Sequence, residues 1–261
     1  MKLPRLDAYW AGSLASGITA VLLVTLALLS NRGDLTTAAL VLAAAVCIIT
    51  AILLATLSRG EPMDPRIAGL LPVQGCINLS RVCADLGLKG NAHFIPSQRE
   101  GGGWPVQFIP VSSLRALPPP GETLVSGKDA SGILVVPSGE PLLAWARENA
   151  KLLLPASVEE WVVLSRELFR EVLGVADAVE GGQSGDCAAL ILKGYRFPDG
   201  CDAMRRESPK CCTMNPCPVA SLAGCLLAAG IGKVVEVRSC TPSPDRRSVT
   251  LVFCPVTADI P

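Results

Sequence analysis

The chain reads as an N-terminal transmembrane helical hairpin followed by a cytoplasmic α+β domain with antiparallel strand pairs. Three observations predict this. Residues 8–31 and 35–58 are two uncharged stretches of 24 residues, basic residues are distributed unevenly around them, and the remainder carries helical and alternating apolar patterns in blocks. Blocks without regular strand–helix alternation point to α+β and not to a doubly wound α/β sheet.

A helix rises about 1.5 Å per residue, so about 20 apolar residues cross the hydrocarbon core and each stretch is long enough. Lys2 and Arg5 precede the first span, Arg59 and Arg66 follow the second, and the turn between them holds Arg32 beside Asp34. The Lys/Arg bias of short flanks places a two-span protein in the cell membrane with both termini in the cytoplasm. Tyr9 and Trp10 open the first span, where amphipathic rings favour the membrane–water boundary. A cleaved signal peptide is the rival, but its apolar region would be too long, and Ala27-Leu28-Leu29-Ser30 is a poor cleavage site. Small residues recur at four-residue spacing, as Gly12 with Ser16, Ser13 with Gly17, and Ala39 with Ala43. Such spacing favours close helix packing within the hairpin or between copies in a homo-oligomer. Neither span holds an ionisable residue, so no proton-relay or transport path has a chemical handle. The hairpin is read as an anchor whose partner is the lipid bilayer.

Residues 59–75, with three prolines and three glycines, read as a linker, which leaves 76–261 as the folded domain, divisible into subdomains 76–155 and 156–261. Residues 76–86 have helical spacing ending at Gly87; 91–96 and 106–111 read as short strands around a glycine-rich loop; 115–127 is irregular. Residues 131–137 form a compact apolar run, hence a buried strand. Residues 142–153 and 158–173 are amphipathic, and Ser157 with Glu160 three positions on is a capping-box signature. Residues 187–193 read as a strand and 194–215 as a Cys- and charge-rich excursion. Residues 218–229 then read as a helix closed by Gly230, and 234–240 and 248–255 as two strands joined by a polar turn.

From residue 59 onward 20 Lys/Arg balance 21 Asp/Glu, which argues against nucleic acid as a partner. Eleven cysteines are many for a cytoplasmic protein. Cys47 lies in the second span, and in a reducing compartment the other ten are expected as thiols serving metal ligation, redox chemistry or burial, not as disulfides. Cys201, Cys211, Cys212 and Cys217 share one loop, with Cys187 before and Cys225 after. Soft thiolates suit zinc or an iron–sulfur cluster, yet no Cys-x-x-Cys pair occurs in the chain. Lys210 beside Cys211, and the helix start beside Cys217, would each lower a thiol pKa and favour reactive-thiol chemistry. Cys240 and Cys254 fall at opposite ends of the last hairpin, so they do not pair directly. His93, the only histidine, sits within a strand pattern and reads as structural. Gly101-Gly102-Gly103 and Gly181-Gly182 lack the strand, helix and Lys-Ser/Thr context of a phosphate loop and read as flexible loops. Glu159-Glu160 lie on a solvated helix face. No convergent polar set for catalysis can be assembled, so no catalytic residue is assigned.

Residues 215–253 place Pro216-Cys217-Pro218 before a small-residue helix, then Gly232-Lys233, a strand ending in Cys240, a polar turn and a final strand. This order resembles the C-terminal part of vinyl-reductase-type hydrocarbon-binding domains, with residues 187–193 similar to the strand that precedes it there. The resemblance implies a small-molecule sensor or accessory ligand-binding module, some members holding zinc through cysteines and a glutamate. It adds Cys240 to the metal candidates Cys201, Cys211, Cys212 and Cys217. Glu236 is displaced from the family's spacing, and Ser248 stands where a last cysteine is expected. The expectation is a membrane-anchored, non-enzymatic protein that binds a small apolar ligand or a protein partner, in a pocket around residues 219–229. Two alternatives stand beside it: a Cys-rich metal or thiol redox protein, and a membrane-organising assembly protein.

Overall fold

In a computed structural model the described residues are 8–30, 35–57, 64–97, 103–114, 116–119, 121–127, 130–150 and 152–256. The chain divides into two compact units, Met1–Met63 and Asp64–Pro261.

The first unit is a pair of helices, α1 (Ala8–Ser30) and α2 (Leu35–Leu57), both long and apolar enough to cross a membrane. They pack antiparallel: the Ser13 hydroxyl donates to the Ala51 carbonyl at 2.8 Å, and a Cβ on Gly12 would meet Leu54 at 3.2 Å. The buried seam runs through Ala20, Ala27 and Ala44. Gly12 and Ser16, four residues apart, are both half-buried and lead to buried Ala20, while Ser13, Ala20 and Ala27 recur every seven residues. Gly17 meets nothing within 4 Å, and Ala39 and Ala43 are exposed. The hydroxyls of Thr19, Thr25 and Thr50 donate to the carbonyl one turn back, which satisfies them without water.

The second unit is an eight-stranded antiparallel sheet with helices against it. Its strands are β1 (His93–Ile95), β2 (Val106–Pro110), β3 (Leu124–Ser126), β4 (Ser131–Val135), β5 (Ala178–Ser184), β6 (Cys187–Lys193), β7 (Val235–Pro242) and β8 (Ser248–Pro255). The order is β3-β4-β2-β1-β7-β8-β6-β5. Strands from both halves of the sequence are joined edge to edge where β1 pairs with β7, so 76–155 and 156–261 share one sheet and are not separate subdomains. The α+β class with antiparallel pairing is present as expected.

Residues 59–75 are not simply a linker: Asp64 caps α3 (Pro65–Leu70) by accepting from the Arg66 N–H at 2.9 Å, and α4 (Val73–Asp85) follows at once, with Val73 and Cys76 in the core. The helices α5 (Glu140–Ala150) and α6 (Val158–Arg166) come next, and α6 runs on through a π-helical stretch, Glu167–Val172. Ser157 accepts from the Glu160 N–H, and Glu160 reaches back to the Ala156 N–H at 2.7 Å, one residue beyond the usual capping box. The Cys-rich excursion contains two further helices, α7 (Pro198–Glu207) and α8 (Cys211–Met214).

The centre is α9 (Pro218–Ile231), opened by a proline and closed by left-handed Gly232. It is apolar all round, and Val219–Ala228 are buried without exception. One side lies on the sheet against Phe94 and Phe253; on another, the Trp161 indole N–H donates to the Ala223 carbonyl at 3.0 Å. Two further segments, Pro65–Asp85 and Cys211–Ile231, are apolar enough in composition to cross a membrane, but each is broken in this fold, at 71–72 and at 215–217, and the second is 72% buried inside the unit.

Gly181-Gly182 belong to β5, a regular edge strand paired only with β6, and not to a flexible loop. Gly101-Gly102 lie outside the described residues.

Candidate functional site

The N-terminal end of α9 faces a cavity of about 580 Å³. Its walls come from α3 and the start of α4 (Ala68, Leu71, Val73), from Pro141 and Leu142 at the head of α5, and from Leu173 and Val175 after the π-helical stretch. Phe197, Met204 and Val219 complete an overwhelmingly apolar lining. Glycine shapes one wall: a Cβ on Gly200 of α7 would stand 2.3 Å from the Gly69 carbonyl oxygen of α3, so these helices meet backbone to backbone.

The polar atoms of the lining are few: the Ser138 hydroxyl, which donates to the Pro216 carbonyl at 2.8 Å, together with Tyr195, Cys201 and Cys217. Cys217 is the N-cap of α9. The Tyr195 hydroxyl oxygen stands 4.0 Å from its sulfur. The neighbouring Cys201 thiol is the largest influence and, with the polar groups around it, outweighs burial, holding the Cys217 thiol below its ordinary value. Cys201 moves the other way, raised by the neighbouring Cys217 and by burial. Tyr195 is pushed up by burial and by the neighbouring sulfurs.

The other expected cysteines lie behind this pair. The mutual influence of Cys212 on α8 and Cys240 on β7 lowers the Cys212 thiol and raises that of Cys240. Cys76 on α4 is pushed up to about 12, first by burial and then by the charge of Cys217, Cys212 and Cys211. Cys211 is buried and lines a separate depression with Ser80 and Lys89. The Lys210 ammonium donates to the Asn91 side chain at 2.5 Å. The metal candidates Cys201, Cys211, Cys212, Cys217 and Cys240 are therefore gathered in one region, where Cys201 and Cys217 influence each other and Cys212 and Cys240 do the same. Among the described residues no three His, Cys, Asp or Glu side chains are placed to hold one metal ion, so the zinc and iron–sulfur readings receive no support. Cys225 is buried in the core of α9, where desolvation raises its thiol.

One expectation is overturned. Cys187 and Cys254 form a disulfide between β6 and β8. These strands are adjacent in the sheet with Ala188 opposite Phe253, which sets Cys187 directly across from Cys254. Cys240 pairs with Leu251, far from Cys254, so those two do not meet, as the hairpin register required. His93 is buried in β1, with Nδ1 2.8 Å from the Asn91 carbonyl oxygen, and stands as a structural residue. Tyr195 was not singled out by sequence; the Pro-Cys-Pro helix start was the one signal that pointed to this end of α9.

No family model matches the chain, and no curated protein or solved structure matches it.

Proposed function

We propose that this protein is a membrane-anchored, non-enzymatic module that binds a small apolar ligand in the cavity at the head of α9. The observation that carries the reading is the cavity itself. Its volume of about 580 Å³ falls within the range of small-molecule sites, and its lining is apolar with few polar atoms. The site lies at the N-terminal end of α9 and not around the helix body, whose buried surface is fully packed. The order of helix, Gly-Lys turn and paired strands in 216–253 is what the resemblance to vinyl-reductase-type hydrocarbon-binding domains would give, and it supports the same reading.

In this proposal α1 and α2 span the membrane, and the four basic residues flanking them, against one in the turn, put both termini on the cytoplasmic side. The Cys187–Cys254 bond sets a condition on that placement. It persists in the cytoplasm only where reductants do not reach it or where the cell maintains intracellular disulfides. Reporter fusions at the two termini and within residues 31–34 test the orientation.

The ligand reading is tested on the full chain in detergent. Native mass spectrometry should find a retained apolar molecule, or a solvatochromic apolar dye should bind saturably, and Leu142→Trp should abolish either while leaving thermal unfolding unchanged. A chain that retains nothing and binds no dye, or a Leu142→Trp variant that binds as before, overturns it.

A further inference from the structure

Helix α3 is apolar on the side that faces away from its own unit. Its inner side is small: Ala68 lines the cavity, and a Cβ on Gly69 would meet the Phe197 side chain at 2.9 Å. Ile67, Leu70 and Leu71 fall on the opposite side, three and four residues apart, and are 57%, 48% and 68% exposed. A surface helix surrounded by water turns polar residues outward, so this face is inverted. Helix α4, next along the chain, is not inverted: it turns Gln74, Asn78, Arg81 and Asp85 outward beside Val82. Along residues 64–85 the contiguous apolar stripe is thus the one nearest in sequence to α2.

The covalent chain limits what can cover this face. Asp64, the N-cap of α3, lies seven residues beyond Leu57, the last residue of α2. At about 3.3–3.6 Å per residue, that length of chain reaches no more than about 25 Å. With α2 crossing the bilayer, α3 stays within that distance of the point where the chain leaves the hydrocarbon. Such a tether keeps the effective concentration of lipid high, so three apolar side chains suffice where an untethered protein needs a longer helix. Residues 58–66 hold Arg59 and Arg66 against Glu61 and Asp64, so the attraction is apolar and not electrostatic. We propose that the outer face of α3 docks on the surface of the bilayer that holds α2, with Ile67, Leu70 and Leu71 inserted at the boundary between headgroups and acyl chains. This rests on the anchor reading given above and adds a second lipid contact to it. Ala68, Gly69 and Leu71 of the same helix also line the cavity, so a single helix separates lipid from the ligand space.

The experiment uses the full chain in phosphatidylcholine vesicles, with Leu70→Trp introduced into a Trp10→Phe background and each spectrum referred to that background. The added emission should be blue-shifted from that of an indole in water. Lipid brominated near the headgroup end of its acyl chains should quench it at least about twofold more than lipid brominated near the chain ends, because the face sits at the interface. Ile67→Asp on the same protein should remove at least about half of that quenching, which separates an apolar contact from tethered proximity alone. Ile67→Trp should give the same depth profile, and it replaces Leu70→Trp where the latter alters the near-UV circular dichroism. A water-like, unquenched indole at both positions overturns the proposal. So does a blue-shifted indole that bromine does not quench, which would show protein and not lipid over the face, and so does quenching that Ile67→Asp leaves unchanged. Alkaline carbonate extraction separates the two readings. A chain released from the vesicles refutes the anchor itself, whereas a chain that stays and is not quenched refutes the contact of α3 alone.

Discussion

Gly224 offers the sharpest test of how α9 is seated. It lies mid-helix, facing β1 and β8, and a Cβ there would stand 2.3 Å from Phe94 Cε2, 2.4 Å from Phe94 Cδ2 and 3.1 Å from Phe253 Cε1. Carbon atoms rest at about 3.5–4.0 Å, so Gly224→Ala forces a shift of about 1 Å. Both rings are fully buried and have no free volume to retreat into. Overpacking costs about 1–3 kcal/mol, and an approach of 2.3 Å to a fully buried ring belongs at the upper end, about 2–3 kcal/mol. The better helix propensity of alanine returns about 1 kcal/mol, leaving a net loss of about 1–2 kcal/mol. For a unit of this size each kcal/mol moves Tm by about 2–4 °C, so the variant should unfold about 2–8 °C lower. Gly75 on α4 is the control: it is exposed and a Cβ meets nothing within 4 Å. Gly75→Ala should gain about 0.5–1 kcal/mol from propensity alone and raise Tm by about 1–4 °C. Near-UV circular dichroism on the full chain in detergent reads both transitions. If Gly224→Ala unfolds at or above the wild-type temperature, α9 does not lie on Phe94 and Phe253 as described, and the cavity at its head loses its floor.

Three further outcomes are expected. Reducing Cys187–Cys254 releases a cross-link spanning 67 residues of sequence, worth about 4 kcal/mol on the chain-entropy model, so reductant should lower Tm by about 8–16 °C in the wild type and not in a Cys187→Ser, Cys254→Ser double variant; equal effects in both would show that the bond is not the cause. Burial lowers the His93 pKa, with Arg238 assisting and the Asn91 carbonyl and Glu236 opposing. The unfolded chain therefore takes up a proton below about pH 6.5 that the native state resists, and this part of the stability is present above that pH and lost as pH falls. Urea unfolding from neutral to pH 5 should decline more steeply for wild type than for His93→Phe, and parallel curves would refute the burial argument. Ser157→Ala removes the acceptor for the Glu160 N–H and should cost about 1 kcal/mol, or about 2–4 °C of Tm by the same optical melt, while an unchanged melt would mean the cap is idle.

Much of the architecture was legible because it is written in local patterns. The two spans, the helices at 142–153, 158–173 and 218–229, and the strands at 131–137, 187–193 and 248–255 each carry their own periodicity or flanking turn residues, and each is present with ends displaced by a few residues. Helix α3 was lost in the linker because proline and glycine counts mask a capped single turn, yet Asp64-Pro65 was its signal. Strand β5 was read as a loop because glycines are poor strand formers; pairing with β6 holds them extended. The chemical pairs were not legible at all. Cys187 bonds to Cys254 from a different strand, and Cys201 and Cys217 reach one cavity from different helices; sequence spacing says nothing about which strands and helices become neighbours.

The division has a physical cause. Hydrophobic length, flanking charge and local periodicity act over a few turns of chain, so the amino-acid sequence alone determined two apolar spans, an α+β unit behind them and a buried small-residue helix. Which thiol meets which, and whether an apolar cavity opens beside them, depends on the sheet order that sets β6 next to β8 and on the backbone approach of α3 to α7. Those are long-range packing outcomes, and only the tertiary structure decided them.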